Sequence, residues 1–160
     1  LPERAIRQWH RSHEASRRLA EIPGLGYLTA SATVATVGDA RQWRSARQFG
    51  AALGVTPRQH SSGGRTVLGG ISRQGDGDLR RLYIHGARAV VQTHARVRCQ
   101  PEAARGWLHE ILKRRPKNVA IVAQAHRNMR ITWALLAYPQ RRFDAQFKPR
   151  TGQPAAGTAA

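Results

Sequence analysis

The stretch from Gly54 to Gly75 constrains the fold more than any other part of the sequence. It holds six glycines, Pro57 and four serines or threonines between Thr56 and Thr66, and it has no helical period. On either side of it, apolar residues recur at intervals of three and four, the spacing of helices with one buried face. A compact domain seldom carries so long an irregular segment unless that segment is functional or disordered. The fold class expected is therefore mainly α, with helices before and after one long Gly-rich loop. Within the loop, the short apolar run Val67-Leu68 is compatible with a small hairpin.

Residues 3 to 20 read as one charged helix. Ile6, Trp9 (or His10), His13 and Leu19 make an imperfect apolar stripe, with arginines elsewhere. A helix of this kind needs a partner surface, and residues 1–20 fit the end of a longer, coiled-coil-like connector. Glu21 to Tyr27 is a sharp turn. The small apolar run Leu28 to Val37 reads as a buried helix ended by Gly38-Asp39, and residues 41 to 53 as another, with Trp43, Ala46, Phe49 and Leu53 on one face. The helical pattern returns from Asp76 to about Val97, from Pro101 to Arg114 with proline in the first turn, and from Asn118 to about Tyr138. Residues 139–160, rich in Pro, Gly, Ala and Gln, are expected to be a disordered tail. Leu1-Pro2-Glu3 shows neither an initiator Met nor a signal-peptide pattern, so the chain reads as a piece of something longer.

Charge narrows the partner. The 160 residues include 27 Lys and Arg against 9 Asp and Glu, for a net charge of +18. Charge of this density repels itself in a compact domain, and a polyanion relieves the repulsion while releasing counterions. Most of the cations are arginines, whose planar fork pairs with phosphate. Nucleic acid is the partner expected; a ribosomal-type structural protein or a solvated basic surface is the plainer alternative. A hydrophobic content of 41% sets the chain apart from intrinsically disordered sequences. The single cysteine, Cys99, cannot form an intramolecular disulfide. No run approaches the roughly 20 apolar residues of a membrane span. No membrane partner is expected, and the location expected is the bacterial cytoplasm.

Four motifs are candidates for chemistry or binding. Ile22-Pro23-Gly24-Leu25-Gly26 between two helices has the form of a helix-hairpin-helix element, in which Gly24 and Gly26 let the backbone approach a phosphate at a helix start; a plain packing corner is the competing reading. The run Pro57-Arg58-Gln59-His60-Ser61-Ser62-Gly63-Gly64-Arg65-Thr66 offers hydroxyls, backbone freedom and flanking cations. A serine attacking a phosphodiester needs all three, yet an ordinary flexible loop has the same composition. His60 serves there as a base or as a DNA contact. Gly69-Gly70-Ile71-Ser72-Arg73-Gln74-Gly75-Asp76 suits a phosphate clamp through Arg73, with Asp76 as a helix cap. Arg114-Arg115-Pro116-Lys117-Asn118 is a basic connector in which Lys117 is a backbone contact. The nine acids are scattered, without the clustering a two-metal nuclease requires. His10 with His13, and His85 with His94, lack partners for a metal. No metal site is expected in this chain.

Taken in order, Ile22-Pro23-Gly24-Leu25-Gly26 with Leu28-Thr29-Ala30, Ala46-Arg47-Gln48-Phe49, Leu53-Gly54-Val55-Thr56-Pro57-Arg58-Gln59-His60-Ser61-Ser62-Gly63-Gly64, Leu68-Gly69-Gly70-Ile71-Ser72-Arg73-Gln74-Gly75-Asp76 and Ile84-His85-Gly86-Ala87-Arg88-Ala89 resemble the insertion-sequence transposases of the IS110 type, relatives of the Piv-type DNA invertases. The resemblance runs over about residues 15 to 138. It implies that residues 21–138 form the C-terminal transposase domain, and that the whole protein also has a RuvC-like domain with four acids and Mg²⁺. It further implies a serine nucleophile that links covalently to DNA, a composite site shared between protomers of a homo-oligomer, and a structured guide RNA. The family's serine directly precedes the glycine of this loop, which carries over to Ser62, with Ser61 as fallback. A non-catalytic helix-hairpin-helix module that binds nucleic acid is the alternative.

Overall fold

A computed structural model of the protein describes residues 2–96 and 106–145. Two long helices, α5 (Gly77–Arg96) and α7 (Lys117–Ala137), pack along each other and carry the core. Leu79, Tyr83, Ala87 and Val91 repeat every four residues on α5, so one face of that helix is buried. They share a single cluster with Ile121, Ala125 and Met129 of α7. Around this pair lie α1 (Pro2–Ser12), α2 (Glu14–Ala20), α3 (Tyr27–Val37), α4 (Ala46–Ala52) and α6 (Trp107–Arg114). Among the described residues the only sheet is a two-stranded hairpin of β1 (Pro57–Ser62) and β2 (Arg65–Ile71). The fold is mainly α, as the periodicity implies.

Polar groups pin the core as firmly as apolar ones. The buried Tyr83 hydroxyl donates to Thr132 Oγ1 at 3.0 Å and stands 3.2 Å from Thr33 Oγ1. Thr33 also reaches the Thr29 carbonyl at 2.6 Å, and its single proton serves one acceptor at a time. Burial pushes the Tyr83 phenol up to about 12, against the pull of the two threonines. Asn128 of α7 ties the 21–26 turn to the core: its Nδ2 donates to the Pro23 carbonyl at 2.9 Å, and its Oδ1 accepts from Gln124 Nε2 at 2.8 Å. Asn128→Ala leaves both groups without partners, an expected loss of about 2 kcal/mol in chemical denaturation. A variant that denatures like the wild type would show that the turn holds without this anchor.

Three expectations need correction. Residues 3 to 20 are not one helix: the backbone is extended at His13, with φ −102° and ψ 110°. The His13 ring stacks on Trp9, with centroids 3.7 Å apart. Leu19 is fully buried in α2 while α1 buries nothing, so no single stripe could run through both. Residues 41 to 53 are likewise split. A short 3-10 turn covers Ala40–Gln42, and Ser45 restarts the chain as α4 by accepting from the Gln48 amide at 3.2 Å. Third, the long Gly-rich loop is mostly strand. Gly63 and Gly64 have φ of +55° and +77°, the two left-handed residues of a tight hairpin turn. Ser62-Gly63-Gly64-Arg65 was therefore a readable turn signal.

Part of the tail is ordered. Phe143 packs against the core, and the buried Arg18 donates through Nη2 to the Leu135 carbonyl at 2.9 Å and the Arg141 carbonyl at 2.7 Å. A cation there suits the negative end of α7. Residues 146–160, and the first part of the helix expected from Pro101, lie outside the described residues.

Candidate nucleic-acid interface

The hairpin stands on a tightly built base. Gly54 and Gly75 have φ of +71° and +75°. A Cβ on Gly75 would lie 1.7 Å from the Ala52 carbonyl oxygen, and one on Gly54 would lie 2.2 Å from that of Gln74. Arg73 donates its amide to the Gly54 carbonyl at 3.0 Å, and Ser72 does the same to Thr56 at 2.8 Å. Arg80 of α5 locks the crossing, its Nη1 donating to the carbonyls of Leu53 at 3.1 Å and Gln74 at 3.0 Å. Sequence reading took Arg80 only as part of a basic run. Asp76 caps α5 by accepting from the amides of Asp78 at 2.8 Å and Leu79 at 2.9 Å.

Beyond this base both strands are exposed, including Val67 at 60% and Leu68 at 64%. The register pairs Ser62 with Arg65 and His60 with Val67. Strand alternation therefore gathers His60, Ser62, Arg65 and Val67 on one face. Directly opposed Cβ atoms sit about 5 Å apart, so the Arg65 stem is beside Ser62, whereas His60 is about 7 Å along the same strand. Arg58 points away: its Nη2 donates to the Ser72 carbonyl at 3.1 Å, at the foot of the hairpin, near an irregularity between Pro57 and Gln59. Arg73 is exposed at that same foot, with φ +58°.

The glycines of the 21–26 turn have different surroundings. Gly24 (φ +89°) lies against α5, where a Cβ would be 2.7 Å from the Gly86 carbonyl oxygen. Close packing alone accounts for glycine at 24. Gly26 is exposed at the N-cap of α3 and a Cβ there meets nothing within 4 Å. The Glu3 carboxylate stands beside this helix start, accepting from the Tyr27 hydroxyl at 2.6 Å. That bond, and then Arg7, hold its pKa below the ordinary carboxylate value. Lys117 is exposed at the first residue of α7. The predicted contacts thus fall at three places: the turn midway along α5, the hairpin at the start of α5, and the start of α7.

A model of the family described as Transposase IS116/IS110/IS902 matches residues 16–101. The chain belongs to the IS116/IS110/IS902 transposase family. That match takes in α2 to α5, the turn and the hairpin among them. The chain is 50% identical over 135 residues to a probable family 20 transposase of Pseudomonas aeruginosa, covering 84% of this chain and 39% of that protein. It is 43% identical over 134 residues to the transposase for insertion sequence element IS1111A of Coxiella burnetii, covering 84% of this chain and 36% of the other. The transposase for IS1328 of Yersinia enterocolitica is 38% identical over 133 residues, 83% of this chain and 39% of its own length. The chain thus spans less than two fifths of these family members. No helix among the described residues is long and apolar enough to cross a membrane.

Proposed function

We propose that this chain is the DNA-holding domain of an insertion-sequence transposase and that Ser62 is its nucleophile. One observation carries the reading: Ser62 is exposed beside the two-glycine turn of a projecting hairpin, opposite Arg65, while the hairpin's base is fixed by Gly54, Gly75 and Arg80. A nucleophile for a phosphodiester must reach into a duplex and still be held in register, and this arrangement does both. In the reaction, Ser62 Oγ bonds to phosphorus and one phosphorus–oxygen bond to a sugar breaks. The serine proton passes to a base, and the released sugar oxygen takes up a proton. Arg65 would face the charge that builds on the phosphate oxygens. The exchange is reversible and conserves the number of phosphodiester bonds, which suits a recombinase.

The proposal extends to partners. The described residues contain no group of three or more His, Cys, Asp or Glu that could hold a metal. Mg²⁺ would instead be held by a RuvC-like acidic domain of the whole protein, supplying charge stabilisation there. A structured guide RNA would read sequence by base pairing, leaving the protein mainly backbone contacts. Such contacts suit an arginine-rich chain with 6% aromatics. Protomers of a homo-oligomer would share the composite site, in the bacterial cytoplasm where the DNA is. Arg58, Arg73, Lys117 and the exposed amides near Gly26 are proposed phosphate contacts.

Two measurements test this. Binding of a short duplex should weaken steeply with salt, by about 0.9 in the log–log slope for each phosphate contacted. A flat response would defeat the electrostatic reading. A nicked or suicide substrate given to the whole transposase with Mg²⁺ and its RNA should leave a DNA adduct on the peptide containing Ser62. Tight binding with no adduct would leave this chain as a non-catalytic binding module.

A further inference from the structure

We propose that the crevice between α4 and α7 is a second DNA-phosphate subsite, formed by Arg47, His126 and Arg130. The inference rests on the DNA-binding reading above but not on the serine chemistry. The two helices approach each other closely at Gly50. A Cβ there would lie 2.7 Å from both Cδ2 and Nε2 of His126, so glycine lets α4 settle against the imidazole edge. The ring is half-buried, and its Nε2 is buried without a hydrogen-bond partner. A buried polar atom left in that state needs a reason.

Two guanidiniums flank the ring. Arg47 lies one turn before Gly50 on α4, and Arg130 one turn after His126 on α7; both are exposed. Burial first, then Arg130 and Arg47, lower the His126 pKa. No carboxylate answers them. The ion pairs among the described residues are Glu3–Arg7, Asp39–Arg41, Asp78–Arg81, Glu110–Lys113 and Glu14–Arg142, none of which involves this crevice. Two cations and an unmatched ring nitrogen converge with no counter-charge in the fold. A phosphate would satisfy the nitrogen and end the repulsion, and two guanidinium forks suit its oxygens. The location fits DNA. The C-terminal end of α4 is the hairpin base, where the Ala52 carbonyl meets Gly75. A strand held in the crevice can therefore continue toward Ser62.

The test uses the full chain, a random-sequence duplex, a structured RNA of equal length and inorganic phosphate. Arg47→Gln/Arg130→Gln is compared with Arg4→Gln/Arg11→Gln, which removes equal charge from α1. For duplex DNA the crevice variant should bind about tenfold more weakly and show a salt slope smaller by about 0.9, the loss of one phosphate contact. The α1 variant should change much less. Because both crevice arginines are exposed and unpaired, their variant should melt no lower than wild type. Duplex should also move the His126 ring resonances in wild type, assigned with His126→Gln, and not in the crevice variant. Equal losses in the two double variants, or His126 resonances unmoved by bound duplex, overturn the proposal. Resonances that respond to RNA or free phosphate but not to duplex also overturn it. A wild-type chain that binds no duplex at all refutes the broader DNA reading instead.

Discussion

Alanine in place of Ser62 should abolish strand transfer by the whole transposase while leaving its DNA affinity within about twofold. The expected fall in rate is at least about 10³-fold, since loss of a nucleophile removes the covalent route entirely. Little else should change. Ser62 is exposed at the last residue of β1, and the backbone pairing with Arg65 does not need the side chain. Stability should stay within about 0.5 kcal/mol, as for an ordinary surface substitution. The separation of binding from chemistry is what identifies a nucleophile. An Arg65→Gln variant makes a useful contrast: it should lower both affinity and rate, because that side chain would touch the phosphate in the bound and the reacting state. If Ser62→Ala still transfers strands and still forms a DNA adduct, Ser62 is not the nucleophile, and Ser61, paired with Thr66 in the next register position, becomes the residue to replace.

The same hairpin shows where sequence reading succeeds and where it stops. The helical stripes of α5 and α7 were legible because their apolar residues keep period over 20 and 21 residues. The Gly-rich stretch was correctly singled out, but its strands were not. They bury nothing, so they lack the alternation by which a strand is usually recognised. Only the two-glycine turn carried the signal. Arg80, Asn128, His126 and Gly50 escaped for another reason. Their roles depend on partners 27, 105, 76 and 76 positions away respectively, and no local pattern encodes such pairings. Gly24 was legible as a special position. Its purpose was not, because phosphate approach and close helix packing demand the same residue.

Gly86→Ala separates those two demands, and it should destabilise the domain by about 3 kcal/mol or more, near the upper range for overpacking. In an ordinary helix interior the same change would stabilise by about 0.5–1 kcal/mol. Here the new Cβ would lie 1.8 Å from the Gly24 carbonyl oxygen and 2.9 Å from its carbonyl carbon. Both are backbone atoms, so neither can step aside as a flexible side chain could. The turn cannot retreat alone, because Asn128 holds the Pro23 carbonyl and Ile22 and Leu25 are buried on either side of it. Either α5 shifts away from the 21–26 turn, loosening the Leu19–Ile22–Leu25 part of the core, or the turn unwinds. A drop of about 10 °C in melting temperature is expected for a domain of this size. Gly26→Ala meets open space at an ordinary φ of −77°, so it should melt within about 2 °C of wild type, a surface-scale effect. Should Gly86→Ala melt like the wild type, the turn is free to move against α5, and glycine at 24 would then be explained by approach to a ligand rather than by packing.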